Sequence, residues 1–165
     1  MVTIEKQDIK NINVLIVEDD EGHVRLIEKN LRHAGLIGQI SVANTDFKAL
    51  SMLTEESSHD HQNNSNTIQN EETPIISTKN VKPLLVLLDL NIPEKGGYDV
   101  LRQILTNRAK IKTMVVVFSA SSDPVEIKNC YQLGCNIFIS KPLEYDRFAE
   151  TIRSLGAFLR YIKFP

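Results

Sequence analysis

The chain has little of what marks a secreted, membrane-bound or nucleic-acid-binding protein. Residues 1–6 lack the apolar core of a secretory signal, and no apolar run approaches the roughly 20 residues that a membrane-spanning helix needs. The formal net charge is −2, and the lysines and arginines form no cluster that would follow a phosphate backbone. We therefore expect a cytoplasmic protein that binds neither a membrane nor nucleic acid.

Cysteine is equally scarce, since Cys130 and Cys135 are the only two. In a reducing compartment such a pair is more often two buried thiols than a disulfide or a metal site, so we assign it no function. The 165 residues, 42% hydrophobic and 24% charged, suit one compact domain with its own core.

The chain does have an unbroken aliphatic run that stops at a carboxylate, Leu84 to Asp89, followed by Pro93 and the pair Gly96-Gly97. Such a run predicts a central parallel strand that is buried on both faces. Asp89 then lies at the carboxyl end of the strand, where open α/β sheets bind their ligands. For this residue alone, capping of the following helix is an equally good explanation.

Similar segments alternate along the whole chain. Strands are predicted at 13–17, 39–43, 84–89, 113–118 and 136–140. Helices are predicted at about 20–34 with Asp20 as cap, at 45–53, at 98–105, from Ser122 or Asp123 through Tyr131, and along the stripe Phe148, Ile152, Leu155, Leu159 and Ile162. Five strand–helix units of this kind imply an α/β fold with a doubly wound parallel sheet and right-handed crossovers.

Two segments fall outside this pattern. Residues 1–12 are predicted to be a polar leader to a domain spanning 13–165. Residues from about 54 to 80 contain only three aliphatic side chains, too few to offset the entropy of ordering, so we predict a mobile polar insert. The insert contains His59-Asp60-His61, but neighbours on a flexible loop are poorly organised for a metal, and a solvated loop is favoured.

Polar residues stand at the ends of four predicted strands. Glu18-Asp19 follows the first strand, Asp89 ends the third, Ser119 follows the fourth and Lys141-Pro142 follows the fifth. Each has an ordinary explanation alone, Ser119 as a strand-end serine and Lys141 as a solvated lysine. Together, with 30 residues from Asp89 to Ser119 and 22 from Ser119 to Lys141, they resemble the signature set of two-component response-regulator receiver domains.

The resemblance covers residues 13 to about 160, and the polar insert accounts for the long interval between Asp19 and Asp89. Val17-Glu18-Asp19-Asp20, the segment 89–93 and a C-terminal helix ending in aromatics look like the single-domain regulators paired with bacterial phytochromes. The resemblance to receiver domains implies a flavodoxin-like (βα)5 receiver fold with strand order 2-1-3-4-5. It also implies a sensor histidine kinase, such as a bacteriophytochrome, as phosphoryl donor, and a downstream protein partner.

The resemblance further implies that Asp89 accepts a phosphoryl group and that the aspartyl phosphate is then slowly hydrolysed, without enzymatic turnover of a substrate. Mg²⁺ favours near-octahedral oxygen ligands, which suits Glu18, Asp19, Asp89 and the backbone carbonyl of Asn91. Lys141 is expected to answer the remaining negative charge of the phosphoryl oxygens.

Two residues are expected to turn phosphorylation into a shape change. On this resemblance the Ser119 hydroxyl donates to a phosphoryl oxygen, and the aromatic Phe138, three residues before Lys141, rotates inward. Tyrosine is commoner at the Phe138 position, and phenylalanine lacks the hydroxyl that would stabilise the inward state.

The last predicted helix carries three aromatics beyond its apolar stripe: Phe158, Tyr161 and Phe164. We predict a homodimer or partner contact along helix 4, strand 5 and helix 5. Closure of the C-terminal end of the core is an equally good explanation. We expect no further domain after the last helix, and therefore output through a partner or self-association.

Two other functions are compatible with parts of this pattern. A magnesium-dependent phosphatase with a similar site needs a second aspartate two residues after its nucleophile, and Asn91 stands there instead. A phosphorylation-independent adaptor typically loses an acidic residue or the lysine, whereas Asp19, Asp89, Ser119 and Lys141 are all present.

Overall fold

The computed structural model describes residues 12–36, 38–54, 83–94, 96–108, 110–162 and 164. Along them five strands alternate with five helices. In chain order these are β1 Val14–Val17, α1 Glu21–His33, β2 Ile40–Ala43, α2 Asp46–Thr54, β3 Leu85–Asp89, α3 Gly97–Thr106, β4 Met114–Ser119, α4 Pro124–Gln132, β5 Ile137–Ser140 and α5 Tyr145–Leu159. The predicted leader and the predicted insert, with His59-Asp60-His61, lie outside the described residues except for Ile12 and Thr54.

The five strands form one parallel sheet in the order β2-β1-β3-β4-β5. In the register, Val14 pairs with Ile40 on one side and with Leu85 on the other. The doubly wound α/β fold and its strand order are therefore confirmed, and β1 and β3 lie at the centre, where both neighbours satisfy the backbone hydrogen bonds.

Alternate residues of the central strands enter two separate cores. Val14 and Leu85 pack with residues of α1 and α5 on one face. Leu15 and Val86 pack with residues of α2, α3 and α4 on the other. All residues of β1 and β3 are buried, because helices cover both faces and neither face meets water.

Two helix caps predicted from the sequence are present. The Asp20 carboxylate accepts the backbone N–H of His23 at 2.9 Å, and Asp123, which precedes Pro124 in the first turn of α4, accepts the N–H of Val125 at 2.9 Å. Each cap satisfies a backbone donor that the first helical turn leaves without an intrahelical partner. Of the two candidates for the start of helix 4, Asp123 is the one that caps it.

Helix α4, which the sequence predicts to run through Tyr131, is buried at a single residue. Val125 is 63% exposed and Tyr131 is 49% exposed, while Cys130 is fully buried. The helix contacts β5, an edge strand with a neighbouring strand on one side only. Both cysteines are free and buried, and burial raises the pKa of the Cys135 thiol to about 11. Within the described ranges, no helix has the length and apolar character needed to cross a bilayer.

Candidate functional site

Three charged side chains from distant parts of the chain meet at the carboxyl edge of the sheet. Glu18 follows β1, Asp89 ends β3 and Lys141 follows β5. The Lys141 ammonium donates to Glu18 Oε2 at 2.6 Å and to Asp89 Oδ2 at 2.8 Å. All three side chains are at most 9% exposed. The parallel sheet brings these groups together because it aligns the ends of β1, β3 and β5 at one edge.

The loop after β3 holds the second oxygen of Asp89. The backbone N–H of Asn91 donates to Asp89 Oδ1 at 2.8 Å. The start of α3 lies so close to this loop that a Cβ on Gly97 would stand 2.6 Å from the Cα of Leu90, and would also overlap the Asp89 carbonyl. Gly96 adopts φ of +78°, a conformation that residues with a Cβ rarely take. Both glycines of the pair are therefore needed for the turn that follows Asp89.

The electrostatics of this cluster leave negative charge in excess. Burial raises the pKa of Glu18, and the charge of Asp89 adds to that effect, although the hydrogen bond from Lys141 opposes it. Burial works against the charged form of Lys141 too, but its hydrogen bonds to Asp89 and Glu18 prevail, and the pKa of Lys141 lies above its usual 10.5. One ammonium thus faces two buried carboxylates, and a further cation would be attracted.

A group of carboxylates with the right spacing for a metal ion is present at the same place. Glu18, Asp19 and Asp89 each offer an oxygen, and the three oxygens lie within 4.8 Å of one another. Asp19 is exposed, so the group opens to solvent on one side. The structure places three of the four predicted metal-binding residues together, and the backbone carbonyl of Asn91 as fourth ligand stays a prediction.

His23 also contacts this cluster and was missed in the sequence. Its Nδ1 lies 3.6 Å from Glu18 Oε2, and it has no hydrogen-bond partner among the described residues although it is buried. Its ring meets Phe148 edge-on at 5.4 Å, and the Lys141 ammonium lies 5.6 Å from the same Phe148 ring. The sequence feature that could have identified His23 is its position in the first turn of α1, just after the Asp20 cap and close to the end of β1.

Ser119 is buried at the end of β4, with 1% of its surface exposed. Its hydroxyl donates to Glu126 Oε1 at 2.6 Å and accepts the backbone N–H of Ser121 at 3.2 Å. Glu126, in the first turn of α4, was not among the predicted site residues. Its spacing from Asp123 is that of a capping pair, which predicts a carboxylate near the β4–α4 loop but not its partner.

Phe138 lies in β5 and is half-buried, with its side chain packed against the α2, α3 and α4 face of the core. Its backbone N–H donates to the hydroxyl of Tyr131 in α4 at 3.2 Å. Tyr131 therefore binds the edge strand at the predicted switch residue, a contact that the sequence did not indicate. The inward rotation of Phe138 stays a prediction.

Of the three C-terminal aromatics, some are exposed as a contact surface requires and one closes the end of the core. Phe158 is 51% exposed and Tyr161 is 84% exposed, whereas Phe164 packs against the core cluster formed with α1 and α5. Phe164 therefore closes the end of the core, and only the other two contribute to exposed apolar surface. The predicted homodimer stays a prediction.

The fold and this edge define a doubly wound α/β protein with a buried lysine bound to two carboxylates and room for a cation. A family model described as the response regulator receiver domain matches residues 58–153, more than half of the chain. The chain belongs to this family, the receiver domains of two-component response regulators, and the predicted resemblance is confirmed.

Similar proteins include phytochrome response regulators. Response regulator Rcp1 of a Synechocystis strain is 23% identical, over 88% of this chain and 86% of Rcp1. Its Mn²⁺-bound form has the same fold, with a TM-score of 0.75, 21% identity and coverage of 93% of this chain and 99% of that one. The phosphorylated cyanobacterial phytochrome response regulator RcpA gives a TM-score of 0.76 at 24% identity, covering 94% and 99%. A receiver domain from Rhodospirillum rubrum is 34% identical, with a TM-score of 0.73 and coverage of 93% and 97%.

Proposed function

We propose that this receiver domain, spanning residues 13–165 with a polar insert near 54–80, accepts a phosphoryl group on Asp89 from the phosphohistidine of a sensor kinase. The observation that carries the proposal is the buried Lys141 ammonium, 2.8 Å from Asp89 Oδ2 and 2.6 Å from Glu18 Oε2. A cation held against the acceptor carboxylate is suited to stabilise charge on phosphoryl oxygens that arrive there.

The transfer is a single displacement at phosphorus. An Asp89 carboxylate oxygen forms a bond to phosphorus while the bond from phosphorus to the donor imidazole nitrogen breaks. The electron pair of that bond stays on the imidazole, which then takes a proton from solvent. The product is an aspartyl phosphate, and because the protein adds little covalent chemistry, positioning and charge neutralisation carry the catalysis.

The three carboxylates at this edge of the sheet fit a hard divalent cation. Glu18, Asp19 and Asp89 supply three oxygens within reach of one ion, and burial, with the charge of Asp89 in addition, raises the pKa of Glu18 despite its hydrogen bond from Lys141. In the proposal these residues and the Asn91 carbonyl would hold Mg²⁺, which would supply the positive charge that phosphoryl transfer requires. The Mn²⁺-bound form of Rcp1 is consistent with a divalent ion in this fold.

Two residues act on the phosphoryl oxygens in this proposal. Lys141 follows the phosphoryl group as a point charge, since its four-carbon stem allows the ammonium to shift from Glu18 toward the new oxygens. Ser119 donates its hydroxyl to another oxygen, and Phe138 changes its packing in response. Slow hydrolysis of the aspartyl phosphate then resets the domain.

Signalling is proposed to proceed by contact with other proteins. The proposed kinase partner is a sensor histidine kinase, and the similarity of this chain to the cyanobacterial phytochrome response regulator RcpA favours a bacteriophytochrome. Exposed aromatic and aliphatic side chains on and beside α4 and α5 support a partner or homodimer surface there, namely Val125, Tyr131, Leu143, Tyr145, Phe158 and Tyr161.

The proposal is tested by intact-mass spectrometry after incubation with acetyl phosphate, with and without Mg²⁺. The wild-type chain is expected to gain one phosphoryl group only with Mg²⁺, and Asp89→Asn is expected to gain none. Asp146→Asn, an exposed aspartate of α5, is the matched control and should behave as wild type.

Absence of the gain with acetyl phosphate and also with a phosphorylated histidine kinase would overturn the proposal. It would favour the phosphorylation-independent adaptor instead. Continuous release of phosphate from small phosphate esters, at a rate far above self-hydrolysis, would favour the phosphatase.

A further inference from the structure

The loop between β4 and α4 forms a closed set of hydrogen bonds that begins and ends at Ser119. The Ser121 N–H donates to Ser119 Oγ at 3.2 Å, and the Asp123 N–H donates to Ser121 Oγ at 3.1 Å. Asp123 caps α4 through the Val125 N–H, and the first turn of the helix returns Glu126 to Ser119, whose hydroxyl donates to it at 2.6 Å. The side chain of Ser119 is therefore tied to the helix that follows it.

The partner of Glu126 is not the one its position favours. A glutamate three residues after a capping aspartate is placed to accept the backbone N–H of the cap residue. Here Ser121 Oγ accepts the N–H of Asp123, so the carboxylate of Glu126 is not required for that role. It binds the buried hydroxyl of Ser119 instead, at a distance typical of a hydrogen bond to an ionised carboxylate.

A hydroxyl has one proton to donate. In the unphosphorylated chain Ser119 gives that proton to Glu126, and its lone pair accepts the Ser121 N–H. In the proposed function, a phosphoryl oxygen on Asp89 accepts the same proton. The two negatively charged acceptors therefore exclude each other, and the half-exposed carboxylate of Glu126 is the one that water can solvate once it is displaced.

We propose that Glu126 is a positioning residue that competes with the phosphoryl group for the hydroxyl of Ser119. This inference rests on the proposed function of Asp89. When Asp89 is phosphorylated, Ser119 transfers its hydrogen bond to the phosphoryl oxygen and Glu126 is released. The first turn of α4 then loses its tie to β4, so Glu126 sets the threshold at which phosphorylation reaches the surface of α4.

The test compares two variants that separate the reach of this side chain from its charge. Glu126→Asp keeps the charge, but its carboxylate is one methylene shorter and no longer reaches Ser119. Glu126→Gln keeps the reach and an accepting oxygen but is neutral. Each is titrated with beryllium fluoride, a phosphoryl mimic, at saturating Mg²⁺, and followed by the NMR amide signals of Ser121 and of residues in α4.

The half-saturating concentration of beryllium fluoride is expected to fall about tenfold in Glu126→Asp, because the competing charged hydrogen bond is lost. Glu126→Gln, whose bond to Ser119 is neutral and weaker, should fall between the wild type and Glu126→Asp. Before any mimic is added, the Ser121 amide signal should already be shifted in Glu126→Asp, since that N–H binds the same Ser119 oxygen. A purely electrostatic effect would reverse the order of the two variants and overturn the proposal.

The background variant Ser119→Ala completes the design. With the hydroxyl absent, replacing Glu126 by aspartate should change the half-saturating concentration by less than about twofold, as expected when the two residues act as one unit. Equal titrations of wild type and both Glu126 variants would overturn the role of Glu126 alone. Absence of binding in the wild type would overturn the proposed function, and this inference with it.

Discussion

The carboxyl edge of the sheet contains two polar regions that are held together in different ways. In the ionic region, Lys141 binds Glu18 across 123 residues of sequence and Asp89 across 52. In the hydroxyl region, Ser119 binds Glu126 across 7 residues and Ser121 across 2. The first region exists only when three strands are aligned, whereas the second is built within one loop and one helical turn.

The two regions differ in the free energy that is needed to open them. Opening the ionic region leaves buried carboxylates without a counter-ion, so its contacts are tied to the free energy of unfolding of the domain. Opening the hydroxyl region exposes a half-buried carboxylate to water and moves a short segment, which native proteins allow at much lower free energy. In the proposed function, this division would keep the acceptor site intact while the surface of α4 changes.

Removal of Lys141 is expected to have the largest effect on stability. Lys141→Ala should lower the free energy of unfolding by about 3 kcal/mol in EDTA, since Glu18 and Asp89 stay buried without their cation. Urea denaturation measures the loss, with Lys128→Ala, an exposed lysine of α4, as the matched control. A loss no greater than in the control would show that the ionic region contributes nothing to the fold.

The same bond has a pH dependence of known sign. Because the folded pKa of Lys141 lies above its usual 10.5, the folded chain holds the proton more tightly than the unfolded chain. The contribution of the Lys141 bonds to stability is complete at pH values below the usual pKa of 10.5, and it is lost as the pH rises through the folded pKa. Urea denaturation in this alkaline range should show the loss in wild type and not in Lys141→Ala.

Neutralising Glu18 should have an intermediate effect that depends on Mg²⁺. The raised pKa of Glu18 means that its charged form is disfavoured in the folded chain, so Glu18→Gln is expected to be at least as stable as wild type at neutral pH in EDTA. With Mg²⁺ at ten times its Kd, the wild type should gain about 1.4 kcal/mol, and the variant should lose most of that gain.

Thermal unfolding with and without Mg²⁺ measures both halves of this prediction. Glu21→Gln, an exposed glutamate of the first turn of α1, is the control for a change of charge near the edge. An equal Mg²⁺-dependent shift in Glu18→Gln and wild type would exclude Glu18 as a metal ligand.

Loss of the Ser119 hydroxyl is expected to have the smallest effect on stability. Ser119→Ala should lower the free energy of unfolding by about 1 kcal/mol or less, because water can replace the serine at the half-exposed Glu126. Urea denaturation of this variant beside Ser154→Ala, an exposed serine of α5, tests the estimate. A loss as large as that of Lys141→Ala would remove the distinction between the two regions.

The sequence predicted the elements well because local rules govern them. Unbroken aliphatic runs ending at Val17 and Asp89 are typical of strands covered on both faces, and Asp123 before Pro124 is typical of a helix start. The sequence predicted the helix α4 but not how little of it is buried, since Val125 is 63% exposed and Tyr131 is 49% exposed. Its periodicity could not show that the helix lies beside an edge strand, where less of its surface is covered.

The sequence by itself also determined which polar residues lie at the carboxyl edge, since a residue that ends a parallel strand must emerge there. Only the tertiary structure decided how those residues are paired. Lys141 binds both carboxylates and Ser119 binds Glu126, although Glu126 stands at a position that favours another partner. The physical reason is that residues close along the chain decide whether a segment forms a strand or a helix. The partner of a polar side chain depends instead on distance and burial, which are set only after the strands have aligned.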